Sequence, residues 1–417
     1  TFIKIFLPVK LQFNSSNIAK FSFFVYIFFI IFGTELPFQE KITSLEDIST
    51  SNPVNQFVFS FLYILSFIHL VMKKQKVIEF VKSEKFLTLF LFYALCSVFW
   101  SDFFFISLKR WLQVFGSVII CLAALLSFSS SDEALRYIRA IFIVYLLLTV
   151  LSVIFIPGAI QWEFPAWRGL APHKNLLGQV ALISLMIWIF RLEIPHLRKK
   201  AFAFVFAGLS FLVYIGARST TCLMAGSFLL ILILIKISGK ILGPPGVDRF
   251  FFLTASASFS VIFFSVYFLA PDIFVSFFDL FGKNMTFTGR TDLWDLIFNI
   301  SKGHLLLGCG FGGFWIMDSP HLTPIFEEFV WLPNTAHMGY LDILNETGII
   351  GIILFALMII FYFKNSYKYN ILHKWQWLFV VVLILNIQET TLFQKNMFTG
   401  VIFIISYLAS YTHEFKY

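Results

Sequence analysis

Residues 334–363 read NTAHMGYLDILNETGIIGIILFALMIIFYF. The second half is an apolar run of the kind that spans a bilayer. The first half carries His337, Asp342, Asn345 and Glu346, side chains that are costly at membrane depth and tend to be there for a reason. A membrane helix that begins with an imidazole sets the fold class and raises the question of function together.

The rest of the chain agrees with the apolar half. Of 417 residues, 59% are hydrophobic and only 13% charged, with a mean hydropathy of +0.85 and 58 phenylalanines. Soluble domains carry roughly twice that charged fraction. The composition predicts an all-α polytopic membrane protein and excludes a soluble enzyme with a single anchor. Cys96, Cys121, Cys222 and Cys309 form no CxxC pair, and three of them lie in apolar runs. They read as small hydrophobes, not as a disulfide framework or metal site. The N-terminal lysines are followed by an apolar run without a small-residue cleavage site, which predicts a first membrane helix.

Runs long enough to span fall near 21–37, 54–72, 86–100, 106–128, 137–157, 175–192, 201–217, 219–237, 250–270, 339–363, 376–392 and 397–412, twelve in all. With both termini in the cytoplasm, 21 of the 31 Lys and Arg residues fall on the cytoplasmic side, as the positive-inside rule requires. That accounts for most of the net charge of +8 without nucleic acid as a partner. The chain reads as one integral membrane domain over 1–417. Its longest connection, 271–338, lies on the outer face between spans nine and ten and is too long for a simple turn. Within it, TGRTDLWDLIFNI has helical periodicity with Trp294, Ile297 and Phe298 on one side, suited to the membrane surface. GHLLLGCGFGGFW is a Gly-rich turn with no Lys-Ser/Thr after it, so not a P-loop.

The basic residues that topology leaves unexplained gather on that outer face. WRGLAPHKNLLG places Arg168, His173, Lys174 and Asn175 before a span. GARSTT puts Arg218 in a turn between two spans, Arg290 opens the loop helix and His337 opens span ten. NIQETTLFQKN adds Gln388, Glu389 and Lys395 between the last two spans. An arginine at a helix end often only snorkels to the interface, and an interfacial histidine is commonplace. His304, His321 and Cys309 read as loop packing. Asp342 and Glu346, four apart on one face, suit either helix-start hydrogen bonding or a carboxylate pair. Several guanidinium groups over a shallow membrane cleft fit a pyrophosphate, which arginine grips by paired, charge-assisted hydrogen bonds. A pyrophosphate at that level suggests a polyprenyl-linked glycan, with the diphosphate as leaving group. A sugar hydroxyl then needs a base, and histidine, with an ordinary pKa of about 6.5, suits that role as His337. No carboxylate-rich metal cluster stands out, and no cofactor is expected. A transporter would instead place its ionisable residues at the bilayer midplane, within inverted repeats.

At these residues the chain resembles the O-antigen ligase and Wzy-type polymerase family of bacterial envelopes. The likeness rests on GRTDLWDLIF, GHLLLGCGFGGFW and AHMGYLDILNETGIIG, with Arg290, Trp294, Gly308, Gly310, His337, Tyr340, Leu341, Glu346, Gly348 and Gly351 filling the family pattern. Met338 stands where Asn is common, and Ala217 replaces the Ser of a Ser-Arg turn. PHKNLLG looks most like the exopolysaccharide-polymerase branch. The resemblance implies a GT-C-like, metal-independent membrane glycosyltransferase at the periplasmic face of the inner membrane. Its donor would be an undecaprenyl-diphosphate-linked oligosaccharide, and its acceptor a second glycan or lipid A–core. It maps the pyrophosphate contacts onto Arg218 and Arg290 and the essential histidine onto His337. Arg168, His173, Lys174, Asn175, Tyr340 and Glu346 are carried as donor or acceptor contacts.

Overall fold

The computed structural model describes residues 14–32, 53–161, 165–193, 197–242, 290–329, 333–369, 373–394 and 397–411. The expected span at 250–270, the first part of the outer loop and Lys395 lie outside the described residues. The rest is a helical membrane protein. Helices α1 (Ser15–Phe32), α2 (Pro53–Met72), α3 (Lys74–Ser83), α4 (Phe86–Ser97), α5 (Phe104–Leu125) and α6 (Ser131–Phe155) lead to a two-residue antiparallel pairing of Ile160–Gln161 with Ala166–Trp167. Then follow α7 (Lys174–Ile189), α8 (Leu197–Gly216), α9 (Thr220–Leu242), α10 (Arg290–Ser301), α11 (Thr323–Glu328), α12 (Gly339–Tyr369), α13 (His373–Leu385) and α14 (Phe398–Ala409). Among the described residues, seven helices are long and apolar enough to cross a membrane, or eight if α3 and α4, bent by 92°, form one span. Three further apolar helices, including α13 and α14, are shorter.

Helices dominate because a chain in hydrocarbon must satisfy its own backbone polar groups. Where a helix starts outside the apolar layer, side chains supply the caps. Ser130 accepts from the Glu133 amide at 3.2 Å while Glu133 accepts from the Ser129 amide at 2.7 Å, a reciprocal cap on α6. Outward faces are apolar rather than polar: Phe57 on α2 and Phe204 on α8 are each more than 70% exposed. That is the pattern expected where the surrounding solvent is lipid.

Two departures from the expected spans shape the functional end. The run at 376–392 stops being helical at Leu385, so α13 is short and Asn386 to Thr391 fold back as an irregular, buried segment. The long helix α12 is broken at Gly348, whose φ of 65° and ψ of −168° are non-helical. The break is repaired from the Gly-rich turn. The amides of Cys309 and Gly310 donate to the carbonyls of Asn345 and Glu346 at 2.9 and 3.1 Å, and the Ile349 amide donates to the Leu305 carbonyl at 2.9 Å. Both approaches demand glycine. A Cβ on Gly308 would strike the Glu346 carbonyl, and one on Gly348 the Leu306 carbonyl. Trp100 Nε1 donates to Gly308 O at 3.2 Å, and Arg110 donates to Gly312 O and Trp315 O at 2.6 and 2.9 Å. The turn is therefore wedged between α4, α5 and α12.

Above it lies a second core, in which Leu293, Trp294 and Ile297 of α10 meet Cys309, Phe314, Trp315, Ile325, Ala336 and Met338. The buried face of α10 differs from the expected one. Leu293 joins it and Phe298 is 48% exposed. Met338, at the position where the family pattern favours Asn, is buried here as a packing residue.

Candidate functional site

His337 sits at the foot of this second core in an unusual backbone conformation, with φ of 50°. For a residue with a Cβ, left-handed backbone costs on the order of 1–3 kcal/mol and persists only where its surroundings fix it. They do so on both sides. The Ala336 amide donates to the Asp342 carboxylate at 3.2 Å, and the Ala336 carbonyl accepts from Trp294 Nε1 at 2.7 Å. The Gly339 amide donates to Asn386 O at 3.0 Å. With each hydrogen bond worth about 1 kcal/mol net, these ties are sufficient to hold the strain. Asp342 is the knot. Besides Ala336 it accepts from Trp315 Nε1 at 2.6 Å and Thr390 Oγ1 at 2.5 Å. One buried carboxylate thus joins the Gly-rich turn, the histidine segment and the fold-back after α13. Of the two sequence readings for Asp342, hydrogen bonding to neighbouring elements is the one seen.

The imidazole faces Glu389. Nδ1 of His337 lies 3.7 Å from Glu389 Oε2. The other carboxylate oxygen accepts from Arg290 Nη2 at 3.2 Å and from Asn175 Nδ2 at 2.7 Å. Arg290 Nη1 donates to the neighbouring Gln388 carbonyl at 2.7 Å. Asn175 in turn accepts from Ser219 Oγ at 3.0 Å, which sets the Arg218 turn against the start of α7. Burial works against ionisation of Glu389, but the groups of His337, Arg290 and His173 outweigh it and hold the carboxyl below its ordinary range. Glu389 is the hub of the cluster. It brings together four of the sequence motifs: the Asn175 motif before α7, the Arg290 helix, the His337 segment and its own NIQETT stretch. Through Ser219 it reaches the Arg218 turn. Its sequence signal as a buried acceptor is slight, an acidic residue in a polar break between two apolar runs.

The other expected contacts take varied places. Arg218 is exposed and also left-handed, with φ of 45°. His173 caps α7, accepting from the Leu176 amide at 3.3 Å. Lys174 is half-buried at the first position of that helix. Arg168 donates through Nε to the Gly158 carbonyl at 2.5 Å, tying down the paired residues after α6. The Tyr340 hydroxyl donates to the Leu383 carbonyl at 2.7 Å, joining α12 to α13. Glu346 is buried against the Gly-rich turn, and its backbone carbonyl accepts from the Gly310 amide at 3.1 Å. His304 and His321 pack ring to ring at 4.9 Å beside Phe314, as loop residues would.

A family model described as O-Antigen ligase, Wzy_C, matches residues 201–356. Those residues are similar to the O-antigen ligase family. The segment runs from α8 through the first half of α12 and contains Arg218, Arg290 and His337. Asn175 and Glu389, which complete the cluster, lie outside it. The chain is also 32% identical over 92 residues to the exopolysaccharide production protein ExoQ of Rhizobium meliloti strain 1021. That match covers 21% of this chain and 21% of the relative. The protein is therefore a multi-pass membrane protein that carries, over 201–356, a segment similar to the O-antigen ligase family.

Proposed function

We propose that the protein is a membrane glycosyltransferase that moves a glycan from an undecaprenyl-diphosphate carrier to an acceptor hydroxyl at the periplasmic face of the bacterial inner membrane. The observation that carries this reading is the Glu389 cluster, which puts an imidazole and a guanidinium on one carboxylate beside a second arginine turn. In the proposed step, His337 takes the proton of the acceptor hydroxyl. The acceptor oxygen forms a bond to the anomeric carbon as that carbon's bond to the diphosphate oxygen breaks. The electron pair leaves with the diphosphate, and Arg290 and Arg218 stabilise its charge. A single displacement inverts the anomeric centre. Glu389, facing Nδ1, orients the imidazole so that Nε2 is the proton acceptor, the logic of a carboxylate-held histidine. The charge roles fall to the arginines, so the reaction is proposed to need no metal ion and no cofactor.

The reading includes twelve crossings with both termini inside, one membrane domain with a functional loop at 271–338, and a GT-C-like architecture. The favoured acceptor is another lipid-linked repeat, which makes the protein a polysaccharide polymerase. The PHKNLLG motif and the similarity to an exopolysaccharide production protein support this. The second reading is a ligase acting on lipid A–core or protein. A deletion strain separates them: single lipid-linked repeats accumulate if the protein is a polymerase, and full-length lipid-linked polymer if it is a ligase. For the chemistry, purified protein is supplied with a lipid-diphosphate-linked oligosaccharide in the presence of EDTA. Transfer is expected from wild type and not from an inserted, folded His337→Ala variant. Normal transfer by that variant removes the base role, and loss in EDTA restored by Mg²⁺ overturns the metal-free step.

A further inference from the structure

The opposite end of the molecule holds a separate cavity. Gly339 and Lys364 are twenty-five residues apart on α12, on either side of its break at Gly348. At that far end, Ser83, Lys85, Phe86, Phe361, Lys364 and Asn365, with Tyr411 behind them, line an open hollow of about 250 Å³. Its chemistry is mixed in a particular way. Lys85 and Lys364 are exposed, and neither has a carboxylate within ion-pair distance among the described residues. Lys364 instead lies 5.3 Å from the Phe361 ring centroid. Phe361 packs on Phe86 with ring centroids 4.1 Å apart, so the wall beneath the two ammonium groups is aromatic.

Glu84, next to Lys85 in the chain, is committed elsewhere. Glu84 is fully buried and accepts from the Leu87 and Thr88 amides at 2.7 and 3.2 Å and from the Tyr407 hydroxyl at 2.6 Å. It caps α4 and faces the positive end of that helix, so among the described residues the cavity's charge is that of the lysines. Glu79, the acid on α3, is exposed and accepts from Gln75 one turn away. The 92° bend between α3 and α4 falls at this cavity. Helix α3, KQKVIEFVKS, anchors Phe80 against Tyr411 and leaves Ile78 and Val81 46% and 43% exposed among its lysines. A basic amphipathic helix turned across the end of a spanning helix lies in the plane of the membrane surface.

We infer that this cavity binds the phosphodiester headgroup of an anionic phospholipid, with Lys85 and Lys364 on the phosphate and the acyl chains along Phe86, Phe361 and the apolar side of α3. Two ammonium groups with no carboxylate partner among the described residues call for an anion, and basic pockets between helix ends are where such headgroups are held. The aromatic wall and the exposed Ile78 and Val81 favour a lipid over free phosphate, which gains nothing from apolar contact. Asn365 holds the rim by donating to the Ser410 carbonyl at 2.8 Å.

The test uses the full chain purified in detergent and exchanged into mixed phosphatidylglycerol and phosphatidylcholine micelles, with bound lipid counted by mass spectrometry. Wild type should retain phosphatidylglycerol preferentially. Lys85→Gln with Lys364→Gln should lower that preference roughly 10- to 30-fold, from the loss of two surface charges. The double Arg variant at the same positions should keep it, which guards against a folding artefact. Unchanged preference in the Gln variant overturns the assignment. Equal loss in a Lys74→Gln, Lys76→Gln variant, away from the cavity, would make the effect a diffuse basic surface and overturn it as well. Displacement of the lipid by millimolar inorganic phosphate would identify a free-anion site instead.

Discussion

Glu389→Gln is the substitution that most sharply probes the proposed site. It keeps the shape and one carbonyl acceptor for Asn175 and removes only the charge that faces Arg290 and His337. Arg290 and Glu389 have side-chain exposures of 12% and 8%, so their pair is much closer to the buried than to the surface class. An exposed pair would be worth under about 1 kcal/mol, or roughly a fivefold effect. Breaking a buried pair by removing one partner costs about 3 kcal/mol or more. Arg290 keeps the Gln388 carbonyl as one acceptor, so the lower figure applies, about 140-fold at 1.4 kcal/mol per decade. Two readouts follow. Glycan transfer by the reconstituted variant should fall by about two orders of magnitude, and thermal unfolding in detergent should move to lower temperature. The double variant with Arg290→Gln should be less damaged in stability than the two single losses combined, because the second change removes the stranded charge. Wild-type transfer and wild-type thermal stability in Glu389→Gln would refute the hub. Lost stability with undiminished transfer would leave Glu389 a purely structural tie.

Arg290→Lys and Arg218→Lys should each reduce transfer at least tenfold in the same assay, because an ammonium cannot make the paired contact of a guanidinium; unchanged kinetics removes that arginine from the site. Gly348→Ala should abolish accumulation of folded protein, measured by detergent gel filtration, since a Cβ there meets the Leu306 carbonyl in a left-handed backbone. Because Glu389 is held below its ordinary pKa, its contribution to stability is fully present above about pH 4.5 and is lost as pH falls through the folded value. Thermal stability of wild type should therefore drop on acidification below pH 4.5, while Glu389→Gln shows a shallower decline. His304, pushed down to about 4 by burial, is neutral in the fold, so its share of stability falls as pH drops from 6.5 towards 4, and His304→Asn should remove that part of the slope.

Hydropathy made most of the helices legible. The helices at 54–72, 106–128 and 201–217 fall within a few residues of the expected runs because each is one continuous apolar segment. The site was legible as a set of charged motifs on one face, and His337 and Arg290 do share a carboxylate. What connects them was not legible. Averaging along 376–392 folds Asn386, Gln388 and Glu389 into a span, because a window registers only their apolar neighbours. A reading by helical period also cannot foresee that GHLLLGCGFGGFW lends its backbone to a broken helix thirty-odd residues further on. Both are pairings of distant backbone, and such pairings leave no periodic trace in composition. Met338 shows the converse, since a departure from a pattern at an apparent contact position turns out to serve packing.

The break at Gly348 also dictates how this protein can be recombined with its relatives. Backbone hydrogen bonds run from 309 and 310 to 345 and 346, and from 349 back to 305. Those bonds depend on main-chain geometry that only a matching pair of segments supplies. A chimera that grafts a foreign outer loop between α10 and α12 while keeping the native start of α12 would leave both halves of the break without partners at membrane depth. Residues 290–351 are thus one inheritable cassette. Exchanged whole, it carries the break with its repair, its arginine and its histidine into a new membrane frame; what it must find waiting there are counterparts of Trp100, Arg110, Asn386, Glu389 and Thr390.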